Sequence, residues 1–143
     1  MSRKKHKFTF DPNKKGLRKI LGDLETDIME IVWAKGEITV RQVYDQLKAQ
    51  RAIAYTTVMT VMSRLAEKGL LKKIKEGTAY MYRATSSREE FTQSTIKKVI
   101  TELLADFTAP AISQFMESLG NEKPEKIEEL ARLIEAKRKK QNV

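Results

Sequence analysis

The sequence predicts a mainly α-helical fold with one small β-hairpin. Three short helical patterns come first, two β-prone runs around a turn glycine follow, and the remainder of the chain has helical periodicity throughout. The length of 143 residues allows one compact domain, or a small domain with an extension, and 41% hydrophobic residues are enough to form a core. We therefore expect an N-terminal domain of helices and a hairpin, and a helical region after it.

The first helix is predicted from Leu21, where apolar residues begin to recur at helical spacing. Leu24, Ile28 and Val32 follow one another at intervals of four residues and so share one face of a helix. Gly36 stands where the residue after a helix C-terminus usually takes a left-handed conformation. The pattern therefore predicts a helix that ends before this glycine.

The second helix follows a short extended link at Ile38. Thr39 is a suitable N-cap residue because its hydroxyl group can accept a hydrogen bond from the first helical turn. The apolar residues that follow keep the i, i+3, i+4, i+7 spacing of one helical face. They are Val40, Val43, Tyr44 and Leu47.

The third helical pattern, residues 56–68, combines an apolar face with an outer face of unusual composition. On a helical wheel the apolar residues fall within about 50° of their mean direction. The opposite face carries short hydroxyl groups, one methionine and one arginine, where a surface helix usually carries Lys and Glu. Hydroxyl groups can contact base edges and phosphates, methyl groups suit the methyl group of thymine, and arginine reaches phosphate or guanine. The apolar face consists of Val58, Val61, Met62 and Leu65, and the outer face of Thr56, Thr57, Met59, Thr60, Ser63, Arg64 and Glu67.

The hairpin is predicted from residues 70–74 and 78–84, two β-prone runs joined by Lys75-Glu76-Gly77. Taken alone, the third helix could be a plain amphipathic helix with a threonine-rich surface, and the hairpin could pack on the core through Tyr80 and Tyr82. Three short helices followed by a basic hairpin is, however, the order of a winged helix-turn-helix, in which the third helix enters the major groove of DNA. The DNA contacts expected on this basis are Thr56, Thr57, Met59, Thr60, Ser63, Arg64, Lys73 and Lys75.

Residues 86–143 are predicted to form a helical dimerisation domain. Apolar stripes recur in three helical patterns, the second ending before Gly120 and the third beginning after Pro124. Helices this short cannot bury three such stripes on their own, so a second copy of the chain is the expected partner. Folding back onto the winged helix within a monomer is the alternative. The expected dimer contacts are Ile96, Val99, Ile100, Leu103, Leu104, Phe107, Phe115 and Leu130.

The positive charge is concentrated in residues 1–20, which we interpret as a flexible basic N-terminal arm before a winged-helix domain at 21–85. The formal net charge of +9 makes a polyanion the first partner to test. Residues 1–21 hold eight Lys and Arg against one Asp, whereas residues 22–90 hold eleven against ten acidic residues. The arm can be a solubilising tail or a second DNA contact, and the two roles are compatible.

The composition excludes several classes of protein. The chain has no cysteine, and its single histidine, His6, lies in the basic arm, so neither a metal site nor a cofactor is expected. No paired carboxylates in an apolar setting or other catalytic constellation can be recognised, so we do not expect an enzyme. No apolar run is long enough for a transmembrane helix or a signal peptide. We therefore expect a cytoplasmic protein without membrane insertion.

Four stretches of the sequence resemble one known family. They are Leu24–Trp33, Tyr55–Leu65, Lys68–Leu71 and Tyr80–Arg83. Through them the chain resembles the penicillinase-repressor family, the BlaI/MecI-type transcriptional repressors to which the CopY-like proteins are related. The resemblance runs from Leu21 into the C-terminal helices without a large insertion. It implies a homodimeric winged-helix repressor whose later helices form an intertwined dimer.

The resemblance also implies a mode of release. In antibiotic-responsive members a membrane-bound sensor protease is activated, an Asn-Phe bond in the dimerisation part is cut, and the dimer leaves DNA. The matching position here is Gln114–Phe115, which keeps the phenylalanine but lacks the asparagine. The metal site of copper-responsive members is excluded because it requires cysteines.

The sequence thus leads to a specific functional expectation and one alternative. We expect a sequence-specific DNA-binding transcriptional repressor that acts as a homodimer on a palindromic operator, with its two recognition helices about 34 Å apart. Release by proteolysis in the dimerisation region is part of that expectation. The alternative is a non-specific architectural or nucleoid-associated protein that binds DNA mainly through its two basic ends.

Overall fold

Three short helices and a β-hairpin are followed by two longer helices in the structure. A computed structural model supplies the coordinates and describes residues 9–120 and 124–142. The mainly α-helical fold with an N-terminal winged helix-turn-helix, as predicted from the sequence, is confirmed. The chain divides into two units between Thr95 and Ile96. The elements are a 3-10 helix (Gly16–Lys19), α1 (Asp23–Lys35), α2 (Val40–Lys48), α3 (Tyr55–Glu67), β1 (Leu71–Glu76), β2 (Ala79–Ala84), α4 (Arg88–Gly120) and α5 (Pro124–Gln141).

The three short helices and the hairpin share one hydrophobic core. Helix α3 contributes Val58, Met62 and Leu65, which have no exposed surface, while Val61 of the predicted apolar face is half-buried. Burying a large apolar side chain contributes about 1.5–3 kcal/mol, so this packing fixes which side of α3 turns outward. The other elements supply Ile28, Met29, Val32, Ile38, Val43, Leu47, Leu71 and Tyr82.

Helix α2 begins with the N-cap that the sequence predicts. The backbone N–H of Gln42 donates to the hydroxyl oxygen of Thr39 at 3.1 Å, and the backbone N–H of Thr39 donates to Gln42 Oε1 at 2.9 Å. This capping box satisfies two backbone donors at the helix N-terminus. It fixes the start of α2 at Val40.

The hairpin closes in a tighter turn than the sequence predicts. Its turn consists of Gly77 and Thr78, and Glu76 pairs with Ala79, so Lys75 and Glu76 belong to β1. The predicted turn Lys75-Glu76-Gly77 is therefore wrong in its bounds. Gly77 has a φ of +62°, and no described residue other than glycine has a positive φ. A two-residue turn with glycine in first place suits the twist of antiparallel strands, which is the physical reason for the shorter turn.

The base of the hairpin is anchored to the link between α1 and α2. The backbone N–H of Ile38 donates to the carbonyl oxygen of Tyr82 at 3.0 Å, and that of Tyr82 donates to Ile38 at 2.8 Å. The Tyr82 side chain is buried in the core. Both contacts therefore fix β2 to the core at Tyr82.

Residues 9–20, the described part of the predicted arm, pack against the start of α1. The 3-10 helix Gly16–Lys19 buries Leu17, and the backbone N–H of Asp11 donates to the carbonyl oxygen of Lys19 at 2.7 Å. The rest of the predicted flexible arm, residues 1–8, lies outside the described residues.

Ion pairs join both this N-terminal segment and the link before α3 to α1. Arg18 pairs with Asp23 and Asp27, and Arg51 pairs with the same Asp27 carboxylate. Lys14 donates a hydrogen bond to Asp23 at 3.3 Å, which lowers the pKa of that carboxyl group below its usual value. Asp27 is therefore a common partner for segments on both sides of α1.

The first turns of α4 pack against α1. The indole N–H of Trp33 donates to the carbonyl oxygen of Ser86 at 3.0 Å, and its ring centre lies 5.8 Å from that of Phe91. Arg88 and Glu30 add an ion pair at 2.9 Å. These contacts attach the beginning of α4 to the winged helix.

The second unit consists of helices that carry apolar stripes. Its described residues do not form a buried core in the single chain. Helix α4 is interrupted at Phe107, where φ of −135° and ψ of 47° are not helical. Pro110 explains the break, because its ring clashes with the carbonyl group one turn earlier and it has no backbone N–H. The three predicted stripes therefore lie on the two parts of α4 and on α5. No described residue from Ile96 to Asn142 is buried.

Candidate nucleic-acid interface

The α3 residues predicted to contact DNA all lie on the exposed side of that helix. The core takes the opposite side of α3, so short hydroxyl groups and one arginine remain at the surface. Met59, the large apolar side chain among them, is 43% exposed. The exposed residues are Thr56, Thr57, Met59, Thr60, Ser63 and Arg64.

A groove of about 680 Å³ lies between α3, the start of α2 and the hairpin. Five of the eight predicted DNA contacts line it, whereas Thr56, Thr57 and Lys75 are exposed but are not among its lining residues. The predicted contacts in the groove are Met59, Thr60, Ser63, Arg64 and Lys73. Its other lining residues are Thr39, Val40, Arg41, Tyr55, Glu67, Ala79, Tyr80 and Tyr82.

The start of α2 brings Arg41 into the groove, a residue that the sequence analysis missed. Its guanidinium carbon lies 5.6 Å from the ring centre of Tyr44. The Tyr44 ring in turn meets the Tyr55 ring edge-on, with ring centres 5.6 Å apart and an interplanar angle of 86°. The sequence did contain a signal for Arg41. It lies in the first turn after the capping residue Thr39, in the helix before the candidate recognition helix. Arg41 and Tyr55 therefore extend the interface to the start of α2.

The hairpin adds Tyr80, which the sequence analysis considered only as a packing residue. Its side chain is 49% exposed, whereas that of Tyr82 is 2% exposed. Strand pairing places Lys75 opposite Tyr80 and Lys73 opposite Tyr82, on the same side of the hairpin. The Lys73 ammonium nitrogen lies 4.2 Å from the centre of the Tyr80 ring and that of Lys75 lies 5.9 Å from it. The sequence would have placed Lys73 and Lys75 beside Tyr80 only if the turn had been predicted at Gly77-Thr78, because the turn sets the register of the two strands.

The groove has an excess of positive charge. Arg41, Arg64 and Lys73 line it, against Glu67 as the one carboxylate among the lining residues. Arg41 forms an ion pair with Asp45 at 3.4 Å, while Arg64 and Lys73 form none within the part of the chain that the structure describes. A polyanion can therefore pair with Arg64 and Lys73 without displacing an internal carboxylate.

The predicted dimer contacts lie at the surface of the second unit of the single chain. Ile96, Ile100, Leu103, Leu104, Phe107 and Phe115 are exposed, and Val99 and Leu130 are half-buried. Phe107 is 58% exposed. The Gln114–Phe115 bond lies within α4, where the Ser118 hydroxyl group donates to the carbonyl oxygen of Gln114 at 2.8 Å.

Residues 9–120 and 124–142 contain neither a metal-binding cluster nor a membrane-spanning helix. No group of three or more His, Asp or Glu side chains there is arranged to hold a metal ion. Within the same ranges, no helix has the length and apolar character needed to cross a bilayer.

Comparison with known proteins decides the family. The family model described as "Penicillinase repressor" matches residues 21–136. The chain belongs to the penicillinase repressor family. This penicillinase repressor family member is 48% identical to the transcriptional regulator BlaI of Mycobacterium tuberculosis over 71 residues, 49% of this chain and 51% of that protein. The chain therefore spans about half the length of that relative.

This penicillinase repressor family member is also similar to a second repressor and to one solved DNA-binding domain. It is 22% identical to the penicillinase repressor of Staphylococcus aureus over 115 residues, 79% of this chain and 91% of that protein. It also matches the solution structure of the DNA binding domain of the repressor BlaI. That match has 25% identity and a TM-score of 0.45, and it covers 54% of this chain and 93% of that one.

Proposed function

We propose that this chain is a sequence-specific DNA-binding transcriptional repressor that acts as a homodimer on a palindromic operator. The observation that carries the proposal is the groove in which the outer face of α3 and the cationic hairpin meet. Short hydroxyl groups and Met59 allow α3 to approach base edges closely, and Arg64, Lys73 and Arg41 surround them with positive charge. Family membership and the names of the relatives support the same function.

The two sets of residues have different tasks in this proposal. The α3 residues Thr56, Thr57, Met59, Thr60, Ser63 and Arg64 read sequence, whereas Lys73 and Lys75 bind phosphates. Thr60→Ala should therefore reduce the ratio of specific to non-specific affinity, and Lys75→Ala should weaken binding to all duplexes about equally. Identical behaviour of the two variants in binding titrations would contradict this division.

The homodimer is supported by the second unit. Large apolar side chains on both parts of α4 and on α5 are exposed in the single chain, and no described residue there is buried. An exposed apolar surface of this kind is typical of a protein–protein interface. A second copy of the chain could bury it, because a twofold dimer interface pairs the same surface of both copies. Sedimentation analysis at micromolar concentration should give a mass of two chains. A monomer would favour packing of these helices against the winged helix of the same chain.

A salt titration tests whether DNA backbone phosphates are bound. If the dimer neutralises roughly 6–10 phosphates, affinity should fall by about 10³–10⁵ between 50 and 200 mM salt. An affinity that does not change over this range would contradict the proposal.

The alternative is a non-specific architectural protein that uses its basic ends, and the observation that favours it is the charge of residues 1–21. Deletion of residues 1–8 tests it without removing the buried Leu17 or the ion pairs of Arg18. Loss of nearly all affinity and of any footprint would support the architectural protein. A footprint that survives the deletion would support the repressor.

Release by proteolysis belongs to the same proposal, with a membrane sensor protease as the partner. The Gln114–Phe115 bond lies in the second part of α4, next to exposed apolar side chains, so a cut there would divide the surface proposed to hold the dimer. The bond is helical, and a protease must unwind that turn to reach it. Mass spectrometry of protein recovered from induced cells should detect fragments that end at Gln114 and begin at Phe115. Only intact chains after induction would contradict this mode of release.

A further inference from the structure

The two tyrosines of β2 lie on one side of the hairpin but differ in their surroundings. Tyr82 is buried and is fixed to Ile38 by two backbone hydrogen bonds. Tyr80, two residues closer to the tip, is 49% exposed. Burial accounts for Tyr82, but a half-exposed ring near the tip of a two-stranded hairpin gains much less from hydrophobic packing. Packing in the core therefore does not explain why a tyrosine stands at position 80.

Two ammonium groups lie near the Tyr80 ring. The nitrogen of Lys73 is 4.2 Å from its centre and that of Lys75 is 5.9 Å from it, both within the roughly 6 Å over which a ring attracts a cation. Lys75 is directly opposite Tyr80 in the strand pairing, and Lys73 lies on the same side of β1. The ring thus stabilises two like charges that would otherwise repel each other.

Apart from a longer contact of Lys73 with the Tyr82 ring, whose centre lies 6.0 Å from the ammonium nitrogen, these three side chains have no other polar partner in the described part of the chain. Neither Lys73 nor Lys75 forms an ion pair there, and the Tyr80 hydroxyl group makes no hydrogen bond. A flexible lysine loses side-chain entropy when it binds a phosphate, and a lysine already held against a ring has lost part of that freedom beforehand. The arrangement is therefore suited to an external anion.

We propose that Tyr80 is a positioning residue of the wing, whose ring holds the ammonium groups of Lys73 and Lys75 in place for DNA phosphates. Lys73 lines the groove beside α3, so the ring connects this groove to the hairpin tip. The inference rests on the proposed function, because DNA is taken as the occupant. It goes further by assigning a role to an aromatic residue that does not itself need to touch DNA.

A pair of substitutions separates the ring from the hydroxyl group. Tyr80→Phe retains the ring and should change affinity for a mixed-sequence duplex by less than about twofold, since phenylalanine also attracts cations. Tyr80→Leu removes the ring, and affinity should fall about three- to tenfold. Met81→Leu, on the other side of the same strand, is the matched control and should leave affinity unchanged. Thermal unfolding of each variant verifies that the fold is retained.

Two further readouts distinguish positioning from a structural role. The salt dependence of binding should be unchanged in Tyr80→Leu, because all charges remain, whereas Lys73→Ala should lower its slope by about one phosphate contact. In a chain that carries both Lys73→Ala and Lys75→Ala, the additional substitution Tyr80→Leu should cost less than about twofold, because no cation is left to position.

Each contrary outcome overturns the inference. Equal losses in Tyr80→Phe and Tyr80→Leu would show that the hydroxyl group binds DNA directly. The same loss with and without the two lysines would show that the ring acts alone. If the unchanged protein binds no duplex, the proposed function fails together with this inference, whereas normal binding with an unaffected Tyr80→Leu variant refutes the role of Tyr80 only.

Discussion

Asp27 of α1 connects the segment before α1 with the link between α2 and α3, and removal of its charge should lower the free energy of unfolding by about 1–2 kcal/mol. Its carboxylate pairs with Arg18, which precedes α1, and with Arg51, which precedes α3. The Asp27 side chain is only 18% exposed. Each of its ion pairs should therefore contribute more to stability than the weakest surface ion pairs, which contribute about 0.2 kcal/mol. The arginine side chains are 37% and 38% exposed and regain water when the pair is lost. The cost should therefore stay below the roughly 3–5 kcal/mol of a broken buried pair.

Asp27→Asn is the substitution of choice because it removes the charge and nearly preserves the shape. Asp45→Asn is the matched control, because Asp45 also pairs with two cations, Arg41 and Lys48, but is 47% exposed and bridges one helix only. The control should cost at most about 0.5 kcal/mol. Urea unfolding at one fixed protein concentration measures both variants, since association changes the apparent stability. Equal losses of stability in the two variants would refute the argument from burial. If Asp27→Asn left the free energy of unfolding unchanged, the ion pairs of Asp27 with Arg18 and Arg51 would add nothing to stability.

Three other variants test separate parts of the account. Thr39→Ala should lower the free energy of unfolding by about 1 kcal/mol through loss of the capping box. An unchanged urea midpoint would contradict the claim that the capping box stabilises the fold. Gly77→Ala should cost about 1–2 kcal/mol, because φ of +62° strains any residue with a Cβ atom, and an unaltered melting temperature would mean that the turn is formed differently. Ile100→Glu places a charge on the exposed stripe of α4 and should weaken the dimer at least tenfold in sedimentation experiments, by roughly 1.4 kcal/mol or more. An unchanged dimer would show that this part of α4 is not at the interface.

Periodicity and capping predicted the helices of the winged helix because the interactions that form them are local. Val58, Met62 and Leu65 repeat at helical spacing, so both the core face and the outer face of α3 could be recognised from the sequence. Thr39 and Gln42 are three residues apart, and the hydrogen bonds of their capping box follow from that spacing.

The features that the sequence analysis missed depend on contacts between distant segments. Leu17 stands in a strongly basic stretch, and its burial requires the docking of the 3-10 helix on the core. Tyr80 and Lys73 are seven residues apart along the chain and meet only because the turn starts at Gly77. Arg41 joins the groove through the packing of α2 against α3. Local patterns do not contain this information, because tertiary packing determines it.

Selection of bound duplexes from a random pool tests the central claim most directly. With the unchanged protein, the recovered duplexes should share a palindrome whose half-sites are centred one helical turn apart, about 10–10.5 base pairs. The same selection with Thr60→Ala should retain the spacing and relax the preference at one position of each half-site, because α3 reads the bases. A pool without a shared sequence, or a Thr60→Ala pool identical to the first, would contradict the claim that the outer face of α3 reads DNA sequence.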